Sequence, residues 1–320
     1  MTRVLITGAG GAAATVLLKH LRGKVDLIAA DIDPHAAGLY LVPEGCRALL
    51  PRGDDPNFGR ALLELARRTN ADVVIPTVDA ELLPAAQLRR EFAGALLLAP
   101  ACTLSLCLDK LRLARFVAAS APAAQEWTST LAPEWQFPII AKPRSGSGGR
   151  GVVLLRTREE YDAYLPDDPD GTMIQEFLPG AEYSVDVFAA KDGHVVAAVP
   201  RERLKVDSGV AVACRTVHDN TLERMARSIA ARVGLRGVAN LQFRRGANGT
   251  PKLIEINPRF PGTLSLTIRA GVDIPQLCLD EWAGRTIPRW VQFRECTIVR
   301  TWEDTEVDAF VEAAPKRRSA

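Results

Sequence analysis

Residues 139–152 read Ile-Ile-Ala-Lys-Pro-Arg-Ser-Gly-Ser-Gly-Gly-Arg-Gly-Val. A lysine closes a short apolar run, a loop with glycines at 146, 148, 149 and 151 follows, and a second apolar run begins at Val152. Glycine has no Cβ, so its backbone can approach an anion closely, and successive loop N–H groups can form a concave anion site. Lys142, Arg144 and Arg150 bring positive charge to the same place. The chemistry this suits is polyphosphate binding; the alternative is an ordinary glycine-rich hairpin with solvated cations. A Walker A loop is excluded, because that motif ends Gly-Lys-Ser/Thr and enters a helix, whereas Arg150-Gly151-Val152 enters an extended run.

A second constellation lies about a hundred residues on. Residues 238–243 and 252–256 read as two strands of an antiparallel hairpin joined by Gly-Ala-Asn-Gly-Thr. Side chains alternate along a strand, so Asn240 and Gln242 share a face, as do Glu255 and Asn257. Carboxylate and amide oxygens suit a hard cation such as Mg²⁺, which completes its shell with phosphate and water. The alternative is the polar outer face of a half-exposed sheet.

Other candidates are diffuse. Arg201, Arg203, Lys205 and Arg215 form a basic, irregular segment that could clamp a carboxylate or stay solvated. Arg269 follows shortly after the second strand. Asp79 and Glu81 stand at the carboxyl end of an apolar run, where open α/β sheets bind ligands, and could equally cap the next helix. The four histidines are scattered, with only His218 placed just before a helix. No nucleophile-elbow pattern occurs.

The elements that must position these residues follow from periodicity. Residues 3–8 read as a buried strand, 12–21 as a helix and 26–30 as a second strand, a βαβ opening with Asp31 about 20 residues beyond Gly8-Ala9-Gly10-Gly11. The third fingerprint glycine is replaced by Ala13 or Ala14, so the opening is either a loose dinucleotide fingerprint or a Rossmann-like scaffold. A helix over 57–69 and strands over 72–76 and 96–99 complete a first domain near residue 103. Residues 105–120 read as one helix with Asp109-Lys110 near its middle, and 121–138 as a connector. Strands over 173–178, 183–190 and 194–199 and a helix over 219–233 come next, with a short solvated tail from Arg294.

Composition bounds the rest. The 320 residues are 47% hydrophobic and 24% charged with net charge +2, ordinary for a globular protein and no case for nucleic acid or membrane partners. Apolar runs fall far below the ~18 residues of a membrane span. The chain opens directly on a strand without a signal-peptide pattern, and six cysteines occur without a Cys-x-x-Cys pair, which reads as reduced thiols in the cytoplasm.

Taken together, the Asp109-Lys110 helix, Ala141-Lys142-Pro143 with its glycine loop, Gln175-Glu176-Phe-Leu-Pro-Gly-Ala-Glu182, Asn240-Leu-Gln242 and Glu255-Ile-Asn257-Pro-Arg259 resemble the ATP-grasp superfamily, over about residues 104–285. Within it the chain is similar to carbamoyl-phosphate-synthase-like proteins, because Gln242 stands where most relatives carry an acid. That synthase is far longer, so the resemblance implies a stand-alone ligase. The implied fold is mixed, α/β and α+β: a Rossmann-like domain over 1–103 precedes a two-lobed ATP-grasp fold. The small lobe spans 104–180, the metal-bearing lobe 181–290 and the tail 291–320.

The resemblance implies roles as well. Lys110, Lys142, Ser145, Gly146, Ser147, Gly148 and Gly149 would hold the phosphates of ATP. The segment Glu176-Phe177-Leu178 would meet adenine, and Glu182 the ribose. Gln242, Glu255 and Asn257 would bind one or two Mg²⁺, with Mn²⁺ as an alternative. Arg259 and Lys142 would be catalytic. Arg201, Arg203, Lys205, Arg215, Arg269 and Glu81 would be substrate candidates. The implied reaction activates a small carboxylate as an acyl phosphate and joins it to an amine or ammonia. A carboxyphosphate- or carbamoyl-phosphate-forming enzyme and a non-catalytic nucleotide-binding protein are the alternatives. Small-molecule acid and amine are the expected partners, with a homodimer as the default assembly.

Overall fold

The computed structural model describes all residues except 120, 124–125, 128–135, 147, 208, 302 and 312–320. The chain divides into two compact units. One comprises Met1–Leu98, Gly262–Leu264 and the described residues from Thr301; the other comprises Ala99–Pro261 and Ser265–Arg300. The division falls at Leu98–Ala99 rather than near residue 103.

The first unit is built on five strands: β1 (Arg3–Thr7), β2 (Asp26–Asp31), β3 (Arg47–Leu49), β4 (Val73–Ile75) and β5 (Ala95–Leu96). They form a sheet in the order β3-β2-β1-β4-β5, every pair parallel. The continuous apolar runs Val4–Ile6 and Val73–Ile75 are buried, as strands covered on both faces require. The helix Ala12–Leu21 follows β1 directly, presenting Ala14, Leu17, Leu18 and Leu21 to the core. Strand β3 has no counterpart in the sequence reading; it is three residues long and carries a charge.

The second unit holds two antiparallel sheets. The smaller contains β6 (Glu126–Trp127), β7 (Ile139–Pro143), β8 (Val153–Leu155) and β9 (Thr172–Glu176), in the order β6-β9-β7-β8. The larger contains β10 (Glu182–Ala189), β11 (Val195–Asp207), β12 (Val210–Thr216), β13 (Gly237–Arg245), β14 (Pro251–Asn257) and β15 (Thr297–Val299). Its order is β14-β13-β10-β11-β12-β15. Ile139 and Ala141 of β7 pack with Leu155 and Ile174 to form the small sheet's core.

Three sequence expectations change. The one helix expected over 105–120 is replaced by two, Ala101–Cys107 and Lys110–Ala118, because Asp109 interrupts them and caps the second. Its carboxylate accepts from the N–H groups of Leu111 and Arg112, a cap worth about 1 kcal/mol. The break puts Lys110 at the start of a helix rather than in the middle of one. The supposedly irregular 201–215 segment is mostly the hairpin β11–β12, hidden in the sequence by its charged residues. The tail is not wholly solvated: β15 pairs with β12, matching Cys214 to Ile298. Its final Lys-Arg-Arg-Ser-Ala lies outside the described residues, as does most of the connector. Among the described residues no helix is long and apolar enough to cross a membrane.

Candidate active site

The second unit contains a cavity of about 490 Å³ lined from both of its sheets. Strand alternation explains the small-sheet wall. Ile139 and Ala141 point into the core, so Ile140 and Lys142 take the opposite face and line the cavity. Lys142 is only 4% exposed, and its Nζ lies 3.5 Å from the Ile254 carbonyl oxygen on β14. Burial pushes the Lys142 ammonium down to about 8; neighbouring Glu255 opposes the shift and Lys110 adds to it.

The large-sheet wall rests on a local irregularity. Gln242 pairs with Glu255 and Phe243 with Leu253, which leaves Ile254 without a partner in the β13–β14 register. This bulge lets Ile254 and Glu255, neighbours in sequence, both line the cavity. Lys110, from the helix that Asp109 caps, has its Nζ 3.7 Å from Glu255 Oε2 and 2.6 Å from the Gly146 carbonyl oxygen. Thus two cations and one carboxylate, contributed by a helix, β7 and β14, meet beneath the glycine loop.

That loop takes the conformation its composition permits. Gly146, Gly148, Gly149 and Gly151 all have positive φ, between 70° and 113°, a region that side-chain-bearing residues avoid. Ser145, Gly146, Gly148, Gly149 and Arg150 line the cavity; Ser147 lies outside the described residues. Arg144 is not free for a ligand: its guanidinium is 2.7 Å from Asp109.

Ile140, Val152, Phe177, Leu178, Val206 and Ile254 add apolar surface to the cavity, which Glu176 and Glu182 also line. The Glu176 carboxylate is held 2.6 Å from Lys252 Nζ. Arg244, which sequence reasoning passed over, also lines the cavity and stacks its guanidinium over the Phe177 ring at 5.7 Å. It stands two residues beyond Gln242 on the same strand face, so the alternation that selected Gln242 could have found it.

One face of the large sheet runs from this cavity into the core. Glu182 is opposite Arg244, Ser184 opposite Gln242 and Asp186 opposite Asn240; Gln242 and Asn240 are in turn opposite Glu255 and Asn257. Gln242 and Glu255 line the cavity. Asn257 adjoins them, its amide donating to Glu255 Oε1 at 3.0 Å, and the Arg259 guanidinium is 3.4 Å from the Asn257 side-chain oxygen. One carboxylate and two amide oxygens suit a hard cation whose remaining ligands come from phosphate and water. Asn240 drops out of that set: it is 5% exposed and donates to Asp186 Oδ1.

The substrate candidates separate. Arg201 is fully buried, 2.6 Å from Asp186, which also accepts from Thr267 at 2.5 Å. It cannot meet a substrate, and breaking such a buried pair costs about 3–5 kcal/mol. Arg203 lines the cavity, with its guanidinium on Glu182. Lys205 and Arg269 are exposed, and Arg215 is exposed and paired with Glu202 at 2.6 Å; none of the three lines the cavity. Glu81 belongs to the first unit and is 5% exposed. Its carboxylate accepts from the Thr7 hydroxyl at 2.5 Å and reaches back to the Val78 N–H at 3.3 Å, which makes it a helix-capping residue. Burial raises its pKa to about 7, the Thr7 and backbone hydrogen bonds oppose this, and nearby Asp31 adds to it.

The first unit's own glycine loop is also accounted for. Asp31 Oδ2 accepts from the Gly10 N–H at 2.8 Å, and its other oxygen accepts from the Asp33 N–H. The amide a pyrophosphate would use is given to the chain's own carboxylate, which favours the scaffold reading over the dinucleotide one.

Residues 168–305 match a family model described as "ATP-grasp in the biosynthetic pathway with Ter operon". The carbamoyl phosphate synthase large chain of Thermomicrobium roseum is 30% identical over 168 residues, 47% of this chain and 15% of that protein. The same protein of Thermus thermophilus is 30% identical over 174 residues, 49% of this chain and 17% of its relative. The chain therefore spans only a small part of the length of these curated relatives. In structure it is similar to biotin carboxylase from Campylobacter jejuni, solved as a β-γ-ATP complex, with TM-score 0.74, 18% identity and coverage of 90% of this chain and 72% of that one. It is also similar to N5-carboxyaminoimidazole synthetase from Staphylococcus aureus, solved with ADP, with TM-score 0.74, 15% identity and coverage of 94% and 82%. At these identities the likeness shows the fold alone: a parallel-sheet unit followed in the chain by a unit with two antiparallel sheets.

Proposed function

We propose, from the premise that this chain carries an ATP-grasp domain, that it is an ATP- and Mg²⁺-dependent ligase. It would activate a small carboxylate as an acyl phosphate and join it to an amine or ammonia. The observation that carries this reading is the meeting of Lys110, Lys142 and Glu255 under the glycine loop, in one cavity that Phe177, Leu178 and Ile254 also line. Fixed cations at a preorganised, partly water-excluded site are what phosphoryl transfer needs, since it depends on positioning and charge neutralisation.

Each residue then has a task. Phe177, Leu178 and Ile254 pack against a flat base, and Glu182 accepts from sugar hydroxyls. Lys110 and Lys142 neutralise phosphate charge, and the loop N–H groups of Gly146–Gly151 add donors. Glu255, Asn257 and Gln242 would hold the metal, which when bound draws charge from the phosphate oxygens. Arg259 stands beside Asn257 to stabilise the group in transfer. A carboxylate oxygen of the substrate attacks the γ-phosphorus and ADP leaves with the bridging oxygen. The amine then attacks the acyl carbon, loses a proton and expels inorganic phosphate. Exclusion of water protects the acyl phosphate between the two steps.

The test is an ADP-release screen of small acids and amines, offered singly and in pairs. ADP release that needs both an acid and an amine supports the ligase. Release with bicarbonate alone favours the carboxyphosphate-forming alternative, toward which the synthase-like Gln242 points. ATP bound without turnover across the panel favours a non-catalytic role.

A further inference from the structure

Of the four basic residues on 201–215, only Arg203 reaches the cavity, and it does so with both arms already committed. Its side chain is 8% exposed. One terminal nitrogen is 2.9 Å from Glu182 Oε1; the other donates to the Gly209 carbonyl at 2.9 Å. The aim of the side chain is set by a break in pairing: Arg203 is opposite Cys214 and Lys205 opposite Ala213, so Leu204 has no partner. Such irregularities re-aim side chains beside functional sites.

Gly209, at the tip of the β11–β12 hairpin, also lines the cavity, with φ of +77°. A Cβ placed there would lie 2.9 Å from the Gly148 Cα and 3.0 Å from its carbonyl carbon and oxygen. Two glycines therefore touch backbone to backbone: one at the hairpin tip, the other in the phosphate-facing loop. Arg203 is the link between that contact and the acid at the sugar end.

We infer that Arg203 is a positioning residue. Its planar guanidinium fixes the Glu182 carboxylate for the ribose and, with its second arm, braces the hairpin tip on which the glycine loop rests at Gly148. This rests on the ATP reading given above. A lysine could serve one of the two partners but not both, since it is a point charge rather than a fork.

The test compares Arg203→Met, Arg203→Lys, Glu182→Gln and the Arg203→Met/Glu182→Gln double variant in the full chain. One arm titrates ATP and 2′,3′-dideoxy-ATP with Mg²⁺. The other follows tryptic cleavage after Arg150, in the glycine loop, without nucleotide. Wild type is expected to prefer ATP. Arg203→Met should lose about tenfold in ATP affinity together with that preference. Glu182→Gln should lose the same, and the double variant should be no worse than either single one. Arg203→Lys should recover the sugar preference, yet be cut after Arg150 as fast as Arg203→Met and faster than wild type. Equal weakening of both nucleotides, or wild-type cleavage and preference in Arg203→Met, would overturn the inference. If wild type binds neither nucleotide, it is the ATP reading that falls, and the cleavage arm still reports on the hairpin contact.

Discussion

Two glycine loops of the molecule, one in each unit, do opposite things. The Gly8–Gly11 loop of the first unit spends its Gly10 N–H on Asp31, and the buried titratable group bonded to Thr7, just before the loop, is another acid, Glu81. The Gly146–Gly151 loop of the second unit lies over Lys110 and Lys142, and Lys110 is tied to Gly146 itself. Both loops have the backbone freedom an anion site requires. Only the second has the charge, so the side chains around a glycine loop, rather than its glycines, decide whether phosphate is welcome.

The contrast can be broken most forcefully at Lys142. Lys142→Ala should fold and lose ATP turnover by more than about a hundredfold, because it removes a buried cation from the phosphate side; Glu255→Gln should do likewise. ADP release, with far-UV circular dichroism as the folding control, checks both. Unchanged turnover in both variants would dissolve the distinction between the loops.

The acidic side of the comparison predicts a stability effect. Glu81 has a native pKa of about 7, against an ordinary value of 4.5. The native state therefore binds more protons than the unfolded one between those values, and stability falls as pH rises through that window. Glu81→Gln, whose side-chain oxygen can still accept from Thr7, should stabilise the first unit by up to roughly 3 kcal/mol at pH 8. At pH 4, where the acid is neutral in both states, it should change little. Urea unfolding at the two pH values measures this.

A smaller effect concerns pH and the second loop. Lys142 titrates near 8 rather than 10.5. A polyphosphate favours its charged form, so nucleotide affinity should be flat below pH 8 and fall by about tenfold per unit above it. Without ligand the sign reverses: the unfolded chain holds more protons between about 8 and 10.5, so the apo protein gains stability across that range. Titration calorimetry from pH 7 to 9 tests the binding limb. The smallest expected signal is none at all: NADH fluorescence should not change on adding the protein, because Asp31 already occupies the first loop.

Much of this was legible in the sequence, for reasons tied to particular residues. Alternation places Lys142 opposite the Ile139–Ala141 core face, and the 12–21 helix ends where its apolar period ends. What stayed hidden depends on partners remote in the chain. Arg201 and Arg203 are both basic and share a strand face, yet one lies under Asp186 and the other against Glu182. Nothing local distinguishes them, because the partner strand β10 decides. Asp109 looks like a polar position on one long helix until Arg144, the residue after β7, pairs with it. The bulge at Ile254, which brings Glu255 and its neighbour to the same wall, exists only once β13 and β14 are in register.

The central claim is that a magnesium–nucleotide complex lies between Lys142 and Glu255, and calorimetric titration of ATP with Mg²⁺ into wild type and Lys142→Ala tests it most directly. Saturable one-to-one binding to wild type, weakened by about a hundredfold or more in the variant, is the predicted result. Equal affinity in the two proteins would contradict it.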